Sequence, residues 1–359
     1  MKEFLKRKNI VFSARRYGID ALGAMAQGLF CSLLIGTIVK TMGQQFGIPF
    51  LVDVGTYCSA MSGPAMALAI GYALQAPPLV LFSLATVGYA ANALGSTTLS
   101  GAPGAGGPLA VLFIAIIAAE CGKAVSKETK VDILVTPLVT ILVGVSLSTL
   151  IAPAIGTAAS AIGEIVEKAT VLQPLWMGIF VSVVMGVALT LPISSAAICA
   201  GIGLSGLAGG AAVAGCCAQM VGFAVLSFRE NRWSGLISQG LGTSMLQMGN
   251  IVRNPKIWLP VLLTSAITGP LATCLFQFQM NDPAGGVASG MGTCGLVGPI
   301  GVYAGWVHDV AQGVKAGITG MDWLAMALIC FILPAVLTWL MGIPCRKLGW
   351  IKEGDLKLD

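Results

Sequence analysis

Apolar residues fall in blocks long enough to cross a bilayer, and the stretches between the blocks are of two kinds. No charged residue occurs from Val54 to Ala119, 66 positions, or from Ala169 to Phe228, 60 positions. At roughly 20 residues per crossing, each run holds about three helices. The pattern predicts spans at Ala21 to Thr41, Thr56 to Leu74, Leu79 to Leu94, Leu109 to Cys121 and Val131 to Ile151. Four more follow at Leu175 to Leu191, Leu207 to Leu226, Ile257 to Phe276 and Trp323 to Met341. Some connecting stretches are short and charged. Four others are as uncharged as the spans but rich in Gly, Ser and Pro: Gly95 to Pro108, Pro192 to Gly206, Gly235 to Ile251 and Gly285 to Gly301.

Those four stretches are poor continuous helices, because glycine and proline interrupt them too often. Irregular backbone at membrane depth survives only where protein buries it or a wet cavity is lined by it. Re-entrant hairpins or broken helices are the expected form, and in transporters such elements build a midplane site. The alternative is close helix packing through small residues. The mixture with Ser, Thr, Asn and Gln favours a site. Gly95, Gly101, Gly104, Gly107 and Pro108 repeat the spacing of Gly286, Gly292, Gly295, Gly298 and Pro299 at an offset of 191 residues. That echo suggests an internal repeat.

Composition sharpens the class. The 359 residues are 56% hydrophobic and 10% charged, against about 25% charged in soluble domains. An all-α polytopic membrane protein follows, with about ten transmembrane helices. The ten cysteines lie mostly in apolar segments and read as small hydrophobes in helix packing. With one histidine, His308, a multi-histidine metal site is excluded, and no cofactor is expected. Glu120 and Lys123, three apart, are expected to form a surface pair.

Charge sets the orientation. Lys2, Lys6, Arg7, Lys8, Arg15 and Arg16 mark a cytoplasmic N-terminus, and the first apolar block is too long for a signal-peptide core. Lys123, Lys127 and Lys130 return to the cytoplasm after four crossings, and the tail with Arg346, Lys347, Lys352 and Lys357 reads the same way. Nine spans are one short of the even number this needs, so one Gly-rich stretch is expected to cross. The net charge of +5 therefore reports orientation and implies no nucleic acid. The expected organisation is a basic segment 1–16, a first membrane half 17–170 for scaffold and dimerisation, a second half 171–342 for transport, and a tail 343–359.

Several stretches, in order, resemble the enzyme IIC membrane subunit of bacterial phosphotransferase systems, in its fructose-like branch. KVDILVTPLVTILVGVSLSTLIAPAIGTA (Lys130 to Ala158) resembles the segment where a proline-centred helix ends in a G-P-like turn. VALTLPISSAAI (Val187 to Ile198) is similar to D-M-G-G-P-V-N-K-A-A, and GTSMLQMGNIVRNPKIWLPVLLTSAITGPL (Gly242 to Leu271) to the G-I-T-E-G-A-I-P-F segment. NDPAGGVASG (Asn281 to Gly290) resembles the P-H-G-G loop. The resemblance runs from about Tyr17 to Tyr303 and points to stand-alone IIC-like proteins, some labelled regulators of toxin expression. It implies a homodimeric permease in the cell membrane for a sugar or polyol, working with separate IIA and IIB proteins. The chain has no room for those modules and is not expected to be an enzyme by itself.

Departures from the pattern fall on the charged groups. Met245 stands where the family has glutamate, with Gln247 and Asn250 nearest; Ala284 replaces the histidine, and Ser194 and Ser195 replace the asparagine-lysine pair. Ser194 and Ser195 follow Pro192, which suits the first turn of a half-helix whose N–H groups can hold a solute hydroxyl or carboxylate; serine bonding back to its own helix is the alternative. Gln247 and Asn250 share a helical face, and their amides suit sugar hydroxyls, or else an interhelical bond. Asn92 and Thr97 are candidates from the first half, with helix capping as the alternative. Asp282 is either a solute contact or an Asx-turn. All seven are candidate substrate-binding residues. The expected function is transport of a small polar solute. A solute-binding sensor without transport, a phosphorylation-independent transporter of a non-sugar solute, and a channel are the rivals.

Overall fold

The structure is a computed structural model that describes residues 2–281 and 286–358. It is helical almost throughout, and contacts divide it into two compact units, Met1–Ala159 and Ser160–Asp359. Among the described residues, seven helices are long and apolar enough to cross a membrane, and Pro174–Thr190 is a shorter apolar helix. The chain is a multi-pass membrane protein.

The first unit begins with α1 (Lys2–Arg7) and α2 (Arg16–Phe46), a single long helix containing two wider π-type turns. It ends at Gly47, whose left-handed φ of 65° turns the chain. The return path is split into α3 (Pro49–Ala60) and α4 (Ser62–Ala73) by a non-helical Met61. Then come α5 (Pro78–Gly95), α6 (Gly107–Val125) and α7 (Asp132–Thr170), which runs on into the second unit. Val87 of α5 and Gly122 of α6 lie against Gly144 and Thr140 of α7. The outer side of α7 exposes Leu134, Leu138, Leu142 and Leu150, an i,i+4 stripe fit for lipid.

Glu120 and Lys123 do pair, with Nζ 2.8 Å from Oε2, but the surface position expected of them is wrong. Lys123 is only 1% exposed. Its ammonium also donates to the Leu74 carbonyl (3.1 Å), and Tyr17 donates to Glu120 Oε1 (3.1 Å). The pair closes the ends of α2, α4 and α6, a burial that i,i+3 spacing by itself does not reveal.

In the second unit, α8 (Pro174–Thr190) leads to the short α9 (Ser195–Gly201) and then α10 (Gly206–Leu226). Next are α11 (Phe228–Ile237), a 3-10 turn at Ser244–Gln247, α12 (Met248–Arg253) and α13 (Pro255–Leu275). Two 3-10 turns, Val287–Gly290 and Cys294–Leu296, precede α14 (Val297–Ala311), and α15 (Gly320–Lys347) leads into the tail.

The core of this unit is α10. Ala, Gly and Cys line it on every side, so α8, α13, α15 and the turns near Ser289 all reach its backbone. A Cβ at Gly210 would collide with the Phe278 carbonyl oxygen, and one at Gly215 with that of Ser182. Small residues permit this approach where lipid offers no hydrophobic drive.

Helices occupy all nine predicted spans, with α7 extending 19 residues beyond Ile151. The Gly-rich stretches are more varied than expected. Gly95 to Pro108 forms a compact loop closed by Thr98 N–H to Ala102 (2.8 Å) and Gly104 N–H to Ser96 (2.8 Å), turning at Gly101 with φ 81°. The end of Gly285 to Gly301 is instead the first turn of α14.

Candidate functional site

Three interrupted segments reach the middle of α10. From one end come the chain around α8–α9, the segment Phe278 to Asn281, and the turns from Val287 to α14. Gly206 exchanges backbone hydrogen bonds with Met280 (2.7 and 3.0 Å), which fixes that end at the start of α10. Farther along, Ser195 donates to the Gly290 carbonyl at 2.7 Å, beside the Cys216 thiol. Farther still, Thr293 donates to the Gly240 carbonyl at 2.5 Å. Gly240 and Ser244 arrive from the other end, where Ser227, Gln239 and the tail are gathered.

Where these segments meet, a polar network is buried among apolar helices. Gln219 of α10 is its hub. Its Oε1 accepts from Trp258 Nε1 (2.8 Å) and Thr190 Oγ1 (3.3 Å), while Nε2 donates to Ser265 Oγ (3.2 Å). Thr190 and Ser244 hydroxyls lie 2.8 Å apart, and Ser182 donates to the Ser265 carbonyl. Thr190, Gln219, Ser244 and Ser265 are fully buried. Buried polar groups are satisfied by one another or carry a large penalty, and hydroxyls and carboxamides both donate and accept. This chemistry suits a neutral polyhydroxylated solute.

The predicted residues are distributed around this network. Ser194 caps α9, accepting from Ala197 N–H at 3.2 Å, and Ser195 joins α9 to the Val287–Gly290 turn. Gln247 donates to Gln239 Oε1 and to the Leu356 carbonyl, both at 2.9 Å. Asn250 donates to Gln247 Oε1 (2.8 Å) and the Lys357 carbonyl (2.9 Å). The segments carrying the two serines and the two amides therefore adjoin, but through Thr190 and Ser244; among the described residues no hydrogen bond joins a serine of the first pair to an amide of the second. Cys216 and Ser227, eleven residues apart on α10 and its end, mark the two levels, separated by roughly 16 Å.

Asn92 and Thr97 belong to the first unit. Asn92 Nδ2 reaches Ser62 Oγ at 3.4 Å, and Thr97 Oγ1 donates to the Leu94 carbonyl, the capping alternative for that residue. Asp282 and Ala284 lie outside the described residues. Their neighbour Asn281 donates to Asp309 Oδ2 at 2.7 Å.

Sequence reasoning passed over Gln219, Thr190, Ser265 and Trp258. A glutamine inside an otherwise apolar, Gly/Ala-rich α10 is a usable signal, since a polar residue in a span faces the protein interior. The family description "Phosphotransferase system, EIIC" matches residues 19–358. No curated protein and no solved structure matches the chain. With a match over nearly its whole length, the chain belongs to the phosphotransferase system EIIC family of membrane transport proteins.

Proposed function

We propose that the chain moves a small polar solute, a sugar or polyol, through its second unit, and that the solute is held at the junction of Thr190, Gln219 and Ser244. One observation carries the reading: a hydrogen-bonding cluster buried at mid-length of α10, where three interrupted segments end. Chains that enter and return from one end behave as re-entrant hairpins, and their tips supply unpaired backbone and hydroxyls at membrane depth. Ser195 positions one tip against the other through Gly290.

Met245 in place of the family's glutamate is buried and offers no charge. Movement of the solute is therefore expected without phosphoryl donors. The test is uptake of labelled sugars and polyols into proteoliposomes holding the full chain. Saturable uptake by the chain alone is expected, and Gln219→Leu should weaken it roughly 5- to 150-fold, the worth of about 1–3 kcal/mol. Strict dependence on added IIA and IIB proteins would overturn phosphorylation-independence. Unchanged uptake by Gln219→Leu would remove the site.

A sensor reading has one observation in its favour. The tail sits on Gln247, Asn250 and Asn231, so a solute that displaced it would create a signal at the membrane surface. Binding without uptake, together with protease sensitivity of the tail only when solute is present, would favour that reading.

A further inference from the structure

A cavity of about 530 Å³ opens where α10 passes into α11 and faces the end of α15. Its charged lining residues are all cations: Arg229, Arg346 and Lys347. Phe228, Leu236 and Trp339 supply apolar wall. The carboxylates of the region, Glu230 and Glu353, line a smaller adjoining cavity of about 160 Å³, which Arg229 and Arg346 also border.

The three cations are not equivalent. Arg346 is committed to the protein, donating to both Glu230 oxygens (3.0 and 3.2 Å) and to the Leu226 carbonyl (2.9 Å). Arg229 and Lys347 are exposed and have no ion pair among the described residues. Two free cations beside a fixed one, over an apolar floor, form a receptor for an anion that carries hydrocarbon.

The surface leading away from the cavity supplies the place for that hydrocarbon. Ile332, Val336, Trp339 and Leu340 are all about half exposed along one side of α15, at intervals that return every three to four residues. The stripe ends at the cations. From Ile332 to Arg346 it covers roughly 21 Å, comparable with the depth of one leaflet, about 15 Å, plus its headgroup zone.

We infer that this cavity binds an anionic phospholipid, with its phosphate on Arg229 and Lys347 and its acyl chains along the α15 stripe. Basic pockets between membrane helices select charged headgroups in this way. A free phosphate would use the cations but leave the stripe and the apolar wall without a role. A phosphorylated protein partner would likewise need no continuous groove into the hydrocarbon. The inference rests on membrane insertion and is independent of the transported solute.

The test is native mass spectrometry of the full chain in detergent, titrated with phosphatidylglycerol or phosphatidylcholine of matched chains. Retained phosphatidylglycerol, with little retained phosphatidylcholine, is expected. Each cation near an anionic headgroup is worth a factor of about five, so Arg229→Gln with Lys347→Gln should weaken retention roughly 25-fold. Leu236→Trp, which fills the apolar wall and leaves the charges, should weaken it too. The double variant should elute as the parent does, because neither cation has an ion pair among the described residues. Equal retention of the two lipids, or an unaffected double variant, would overturn the inference. So would glycerol 3-phosphate displacing the lipid at equal concentration, since that outcome assigns the cavity to a soluble phosphate.

Discussion

Buried polar side chains in this protein do two kinds of work, and their partners tell them apart. Lys123 and Glu120 are tied to one another, to Tyr17 and to the Leu74 carbonyl, a closed set that pins three helix ends. Glu120 Oε2 has the ammonium at ionic distance but no aligned donor, so the pair is held by charge as much as by hydrogen bonding. Removing one charge strands the other in a low-dielectric site, at a cost of about 3–5 kcal/mol, whereas replacing both is far milder. Lys123→Met should therefore lower the melting temperature in detergent much more than Lys123→Met combined with Glu120→Gln. Equal losses in the single and double variants would mean that the pair contributes packing alone. Gln219 differs because its partners Trp258, Thr190 and Ser265 are all neutral groups, joined across three separate helices. Residue spacing revealed that Glu120 and Lys123 would meet but not that they would be buried. Gln219, Thr190 and Ser265 were harder to associate, because 29 and 46 positions separate the partners and only tertiary packing joins them.

At the scale of elements, apolar block length located every long helix, since a crossing needs a fixed length of hydrocarbon-compatible sequence. The α14 helix escaped because it opens on Val297-Gly298-Pro299 and carries Gly301 and Gly305, both needed for contact with Ala288 and Asn281. In isolation those glycines count against a helix; in the fold they are the reason it can pack. The tail was likewise read from its charges alone. Its structural role lies in the backbone, where the Leu356 and Lys357 carbonyls accept from Gln247 and Asn250, and Leu358 N–H donates to Asn231. Leu356 and Ile351 are buried beside them. Burial of those two side chains is worth on the order of 3–6 kcal/mol. Deleting residues 348–359 should thus lower thermal stability substantially and expose Gln247 and Asn250 to solvent. If the truncated chain melts as the parent does, the tail is not a structural strap. In α10, Gly215→Val drives a side chain into the Ser182 carbonyl and should cost at least the about 1–3 kcal/mol of an overpacked core, read as loss of folded protein on size exclusion.

At the scale of the molecule, contacts within each unit show which of its loops share an end. In the first unit, Asn9 donates to Gln75 (2.6 Å), and Arg7 and Lys8 pair with Glu128. The N-terminal segment, the α4–α5 loop and the α6–α7 loop therefore lie at one end, as four crossings require. Lys8, ahead of Arg7, holds the Glu128 carboxyl below its ordinary range, so this attachment is intact at neutral pH. Above the ordinary glutamate pKa its contribution is full, and it is lost only as pH falls through the depressed value. The fifth crossing is α7. On the re-entrant reading proposed for the second unit, α8 enters and α9 returns without a crossing, whereas α10, α13 and α15 each add one. That reading makes the total even, with the α8 span falling short of a passage in place of the Gly-rich crossing expected from the charges. Lys127→Cys and Lys357→Cys, both at exposed positions, should then be labelled by an impermeant maleimide from the same, cytoplasmic side, and Glu164→Cys from the other. The background must first lose Cys31 and Cys274, which are exposed themselves. If positions 127 and 357 are reached from opposite sides, α8 crosses after all, and the entering-and-returning geometry on which the buried site depends is wrong.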